Sequence, residues 1–188
     1  EDIDLILLGI GILDLGDTEL VDLGLLLGLG SILVFLFLLD LLAFNHAYYQ
    51  GLLLEMGKMR HLDTFVPDQD KNKQFLNQSL LGDLRTIQEI PNYSYPQLVK
   101  RSSTIDVIWF NERQMPHSFF EVEHSTDIQN SLLKFNDLQD FSARMVIVAD
   151  EKRHHEFIHK MKYAAFSKLM EDKRVAFLPK SHNDIAIS

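Results

Sequence analysis

From His46 onward the chain alternates between helical and strand periodicity. The segment "HAYYQGLLLEMGKMR" predicts an amphipathic helix reaching about Arg60, with Leu52, Leu53 and Met56 as its buried stripe, and a short strand follows around Thr64 to Val66. "STIDVIWFN", residues 103–111, has the β-branched and aromatic content of a central strand, and "FFEVE", beginning at Phe119, reads as its neighbour after the turn "ERQMPHS". Ile128, Leu132, Phe135 and Leu138 then recur at helical spacing, with Ser125 or Thr126 as the expected N-cap. "RMVIVAD" is a buried strand. Residues 151–172 read as one long helix with Ile158, Met161 and Ala165 inward, and "RVAFLP" closes the pattern as a last strand. Polar loops fall at "QDKNKQ" and at "PNYSYP", residues 91–96. This order predicts an α/β fold with a central mixed sheet flanked by helices.

Three acids interrupt the strand pattern. Successive strand side chains point to opposite faces, so Glu121 and Glu123 share one face while Phe120 and Val122 share the other. Asp106 alternates with Ile108 and Phe110, which puts it in an otherwise apolar row. A hairpin between the two strands brings Asp106, Glu121 and Glu123 together. Two carboxylates about 4 Å apart repel by roughly 4 kcal/mol at an effective dielectric of about 20. A divalent cation is the usual compensation.

The wording "IDVIWF … FFEVEHSTDIQNSLLKF" resembles the PD-(D/E)xK, or restriction-endonuclease-like, nuclease superfamily over roughly residues 46–178. The resemblance implies a three-layer restriction-endonuclease-like fold and a Mg²⁺ ion, with Mn²⁺ as a substitute, held by Asp106 and Glu121. A helix-borne glutamate matching Glu55 often joins them in that superfamily. The usual lysine is replaced here by Glu123, an ExE variant, which leaves Glu123 as general base or ligand of a second ion. Lys134, on the following helix, is the candidate to supply the missing cation; His124, directly after the motif, reads first as a packing residue. The implied reaction is phosphodiester hydrolysis in nucleic acid, double-stranded DNA foremost, in a bacterial restriction or anti-phage setting within the cytoplasm. An inactive domain of the same fold, binding nucleic acid or a protein partner, is the alternative.

Charge first argues against a nucleic-acid partner, since the chain has a formal net charge of -9. The acids are unevenly spread, however: eight of the 27 lie in residues 1–40, which hold no lysine or arginine, so the remainder is close to neutral. Residues 1–44 are read as a separate helical segment, rich in Leu, Ile, Gly and Asp, and residues 45–188 as the nuclease domain. The uncharged run Leu23 to Leu39 is at the short limit for a membrane span, and no basic residue flanks it before Lys58. Those flanks favour a buried helix, or one packed on a partner subunit or a second copy in a homodimer, over a membrane helix. The absence of cysteine excludes disulfides and thiolate zinc sites.

One motif competes. "HEFIH", His155 to His159, satisfies H-E-x-x-H, in which two histidines one turn apart bind zinc and the glutamate activates water. Its surroundings are charged where a zinc metalloprotease helix is buried, and no convincing third ligand follows. The segment therefore reads as an exposed basic helix, possible company for phosphates.

Overall fold

The computed structural model describes residues 45–76, 79–125 and 127–180. The expected N-terminal segment, residues 1–44, lies outside the described residues. Five strands form the central sheet in the order β1, β4, β5, β6, β7: β1 Asp63–Phe65, β4 Val107–Phe110, β5 Pro116–Glu123, β6 Arg144–Ala149 and β7 Val175–Pro179. The pairings of β1 with β4 and of β4 with β5 are antiparallel; those of β5 with β6 and of β6 with β7 are parallel, so the sheet is mixed as predicted. The small ribbon β2 Gln74–Phe75 and β3 Ser79–Leu80 stands apart.

Helices cover both faces, which gives three layers. On one side α1, His46–Met59, packs Ala47, Tyr49, Leu53 and Leu54 against Val107, Trp109, Phe120, Val122 and Val148. On the other, α4, Ile128–Asp137, and α5, His154–Met161, pack Ile128, Leu132, Phe135, Phe157 and Met161 against Ile108, Phe110, Phe119, Met145 and Ile147. The strands carry two apolar faces because both are covered. Short helices α2, Leu81–Leu84, and α3, Pro96–Ser102, lie in the connection between β1 and β4, and α6, Ser167–Glu171, precedes β7.

Several expectations shift. The stripe of α1 is rotated: Leu53 is buried, but Leu52 and Met56 are only half-buried at its edge. The strand expected from 103 begins at Val107, because α3 extends to Ser102 and a turn bonds the Ile105 amide to the Ser102 carbonyl at 2.9 Å. The cap of α4 is Asp127, whose side chain accepts from the Gln129 amide at 2.9 Å. The long helix of 151–172 is broken, with Tyr163 in an extended conformation between α5 and a 3-10 turn at Ala164–Phe166. A continuous helix at about 100° per residue would turn Phe166 away from the side of Phe157. The break lets Phe166 and Leu169 join Phe157 and Met161 in one core, while Ile158 stays 41% exposed and Ala165 is exposed. Among the described residues no helix is long and apolar enough to cross a membrane.

Candidate metal centre and its acidic cluster

The register Val107 to Phe120 and Ile108 to Phe119, continued by one residue, sets Asp106 beside Glu121. Asp106 stands just before β4, where the chain leaves the turn after α3. Its carboxylate does not follow the row of Ile108: Oδ2 accepts from the Val122 amide at 2.8 Å, closing the end of the β4–β5 ladder with a side chain. The same oxygen lies 3.4 Å from His46 Nε2, at the start of α1.

Glu121 and Glu123 lie on the α4 side of β5, and both are nearly sealed from solvent, 2% and 4% exposed. A residue the periodicity did not single out joins them. Ser131 follows Ile128 and precedes Leu132 on the buried face of α4, and its hydroxyl contacts Glu121 Oε2 at 2.9 Å and Glu123 Oε1 more closely still. A hydroxyl carries one proton, so Ser131 can donate to only one carboxylate at a time. One turn on, Lys134 Nζ lies 2.9 and 2.8 Å from the two Glu121 oxygens and 2.9 Å from the Thr104 carbonyl. Burial, and then the neighbouring Asp106 charge, push the Glu121 pKa up to about 8 against the opposing pull of Lys134 and Ser131. Glu121 is thus drawn toward its protonated form by burial and toward its charged form by the Lys134 ammonium.

Lys180, just beyond β7, donates to the Glu123 carbonyl at 2.8 Å and lies 4.8 Å from the centre of the Tyr49 ring. Burial lowers its pKa to about 8, with Glu123 opposing the shift. His124 is exposed at the end of β5, near the rings of His46 and Tyr49 at 6.3 and 6.2 Å between centroids.

The structure joins Glu121, Glu123, Ser131 and Lys134 in one contact network. Asp106 is near enough for its charge to act on Glu121, but its carboxylate turns to the Val122 amide and His46. Among the described residues it groups as a metal ligand with His46 and Asp70, not with Glu121 and Glu123, while Glu55 is left out. Glu55 pairs with Lys58 at 2.6 Å, nine residues along α1 from His46, or about 13 Å at the helical rise. The residues of α1 that do reach Asp106 are His46 and Gln50, whose amide nitrogen bonds the Asp106 carbonyl at 3.1 Å and Asp70 Oδ2 at 2.8 Å. Asp70 comes from the polar loop after β1, held by turn bonds to Pro67 and Lys73 and by Lys73 Nζ at 2.6 Å. Nothing in "QDKNKQ" distinguishes it in sequence. In Ser131, by contrast, a polar residue inside an apolar stripe was a readable signal.

The donor set suits a hard or borderline divalent cation. Carboxylate oxygens of Asp70 and Asp106 converge with the His46 imidazole, and burial together with the Asp106 charge raises the pKa of the neighbouring Glu121, a strain that a cation relieves. His46, Asp70 and Asp106 each offer a ligand atom within 4.8 Å of the others. The H-E-x-x-H histidines form no such group among the described residues: His155 and His159 are exposed, and Glu156 is paired with Arg153 at 2.9 Å.

A family model described as the type II restriction enzyme NmeDI C-terminal domain matches residues 42–185, a span containing every element from α1 to β7 and all of the acidic cluster. No curated protein and no solved structure matches the chain.

Proposed function

Because the chain belongs to the family of the type II restriction enzyme NmeDI C-terminal domain, we propose that it is a Mg²⁺-dependent endonuclease hydrolysing double-stranded DNA in a bacterial restriction or defence setting, in the cytoplasm. Asp106 and Glu121 are its metal ligands, Glu123 its proton acceptor and Lys134 its phosphate-facing cation. The ExE arrangement of the PD-(D/E)xK superfamily is the closest chemical description of this set. The observation that carries the reading is Glu121 itself: a buried strand carboxylate with its pKa raised to about 8 beside Asp106, with an ammonium 2.8 Å away.

A divalent ion would be held there by Asp106 and Glu121, and when bound would supply water activation and positive charge to offset that on the phosphate. Glu123, in contact with the Ser131 hydroxyl, is the group assigned to take a proton from the attacking water. Lys134, released from one Glu121 oxygen, supplies positive charge where the phosphate becomes more negative. The four groups sit on β5, on α4 and at the mouth of β4, all anchored in packed elements, so the geometry needs little ordering when substrate arrives.

A second reading rests on the same ion pair. Lys134 already satisfies both Glu121 oxygens, as the bound ion would, and a domain that had lost catalysis could retain this closed network. Plasmid DNA incubated with Mg²⁺ separates the two. Cleavage that disappears with Glu121→Ala supports the nuclease, and intact plasmid under Mg²⁺ and Mn²⁺ alike supports a silent binding domain.

A further inference from the structure

We propose that Lys180, with Arg153 as a second charge beside it, forms a phosphate-binding subsite at the carboxyl edge of the parallel strands, on the α1 face of the sheet, and takes one uncleaved phosphodiester of a nucleic-acid backbone. The subsite rests on the nucleic-acid reading above, but it uses none of the side chains assigned there to metal or catalysis.

Register places it. Glu123, Ala149 and Pro179 stand abreast at the ends of β5, β6 and β7, so the residues that follow them, His124, Asp150 and Lys180, leave the sheet along one edge. Open α/β sheets hold their ligands outside the carboxyl ends of such strands. His124 and Asp150 continue the rows of Val122 and Val148, which pack on α1, and Lys180 falls opposite to Val175 and Phe177, which pack on the α4 side. Ring contacts agree with this placement. Lys180 Nζ lies 4.8 Å from the centre of the Tyr49 ring on α1, and the His124 ring lies 6.2 Å from it. An anion on Lys180 therefore sits across the end of β5 from the Glu121 and Glu123 carboxylates, and it is not the phosphate that Lys134 faces.

Charge says what binds. The half-buried Lys180 ammonium donates to the Glu123 carbonyl at 2.8 Å and meets the Tyr49 ring, and among the described residues no carboxylate lies within ion-pair distance of it. The acids near enough to act on it are engaged elsewhere: Asp150 with Lys152 at 3.0 Å, Glu123 with the Ser131 hydroxyl, and Asp106 with the Val122 amide. Arg153 bonds the next carbonyl, that of His124, at 3.2 Å, and it stands close enough for its charge to act on both Lys180 and His124. Its own pairing with Glu156 at 2.9 Å makes it the partly compensated member, so Lys180 is the contact. An ammonium taken out of water ordinarily gains a carboxylate or extends its head back to solvent. This one is fixed between a carbonyl and a ring with like charge beside it. A phosphate oxygen supplies the opposing charge.

The test uses the full chain carrying Glu121→Gln, so that duplex DNA stays uncut, and measures affinity against salt concentration. Lys180→Met keeps the stem beside Tyr49 and removes the charge. It should weaken duplex binding several-fold, equally for unrelated sequences, and lower the slope of log affinity against log salt by about 0.9, one phosphate's worth. Lys180→Arg should keep the slope. Duplexes with and without terminal phosphates should behave alike, and an effect confined to phosphorylated ends would overturn the backbone assignment. An unchanged slope in Lys180→Met would overturn the subsite, because a merely structural lysine lowers the melting temperature and leaves the slope alone. Should Lys180→Met not fold, nitrogen NMR of isotope-labelled lysine decides: the Nζ resonance missing from Lys180→Arg must shift when duplex is added, and no shift overturns the proposal. Cleavage by the parent chain with the slope unchanged removes this subsite only; a lowered slope without cleavage by the parent removes only the nuclease.

Discussion

Lys134 Nζ lies 2.8 Å from Glu121 Oε2, joining the second turn of α4 to the middle of the sheet across an otherwise apolar interface. In the proposed site this ammonium, from the next helix and seven residues beyond the Asp127 cap, would stand in for the lysine that the strand motif lacks.

For the proposed reaction, Lys134→Ala should slow single-turnover cleavage by about 10²–10³-fold, the usual cost of losing one donor to developing charge, while DNA affinity changes little. Lys134→Arg should recover only part of the rate, because a planar guanidinium cannot reproduce a compact ammonium between the Glu121 oxygens and the Thr104 carbonyl. Rapid-quench kinetics beside a binding isotherm read both quantities. Parent-like rates in both variants would reduce Lys134 to a structural ion pair.

Glu121 makes stability depend on pH in a definite direction. Its folded pKa, about 8, exceeds the ordinary 4.5, so the folded state holds the proton more tightly. The resulting stabilisation is full below about pH 4.5 and is lost progressively as pH rises through 8. Glu121→Gln should therefore leave melting unchanged near pH 5 and raise it near pH 9, by an amount on the order of a few kcal/mol. Excess Mg²⁺ should shrink the difference by supplying the cation that the carboxylate lacks. Melting curves at the two pH values suffice; a pH-independent difference would contradict the assignment.

Asp106→Ala should abolish cleavage and also destabilise the fold, by about 1–3 kcal/mol, because it orphans the Val122 amide at the end of the ladder. Asp106→Asn keeps an acceptor for that amide and should lose activity with much of the stability retained. Denaturant titration of both variants gives the comparison, and equal stabilities would mean that the Val122 bond contributes nothing net.

Ser131→Ala should cost a similar amount, about 1–3 kcal/mol, since it leaves Glu121 and Glu123 without the hydroxyl between them. Ser131→Thr keeps the hydroxyl and tests whether the extra methyl fits. Hydrogen exchange of the β5 amides would locate the loosening.

Much of this architecture was readable before any coordinates. The alternation in "FFEVE" put Glu121 and Glu123 on one face, and the four- and three-residue spacings of Ile128, Leu132 and Phe135 located α4. What was not readable depended on tertiary contact. The role of Asp106 looked like that of a row member because alternation assumes a regular strand, yet α3 delays the strand to Val107 and the carboxylate turns to an amide instead. Glu55 seemed well placed because only residue type and helix membership were visible. Where along α1 the helix meets the cluster is decided by its packing on the sheet, and the residues that arrive are His46 and Gln50. Asp70 had no signal at all, since its loop acquires meaning only when folded beside Gln50.

That packing has a mechanical consequence. A methyl at Gly57 would lie 2.4 Å from Thr64 Cγ2 and 2.7 Å from Trp109 Nε1, and Trp109 Nε1 itself donates to the Leu53 carbonyl at 2.9 Å. The C-terminal end of α1 thus acts as a fulcrum pressed on the sheet, with His46 at the tip of a lever about 16 Å long. A tilt of only about 4° about that point carries the imidazole roughly 1 Å, enough to part it from Asp106 given the helical rise. The aim of a residue at one end of α1 is therefore calibrated by the absence of a single methyl group at the other.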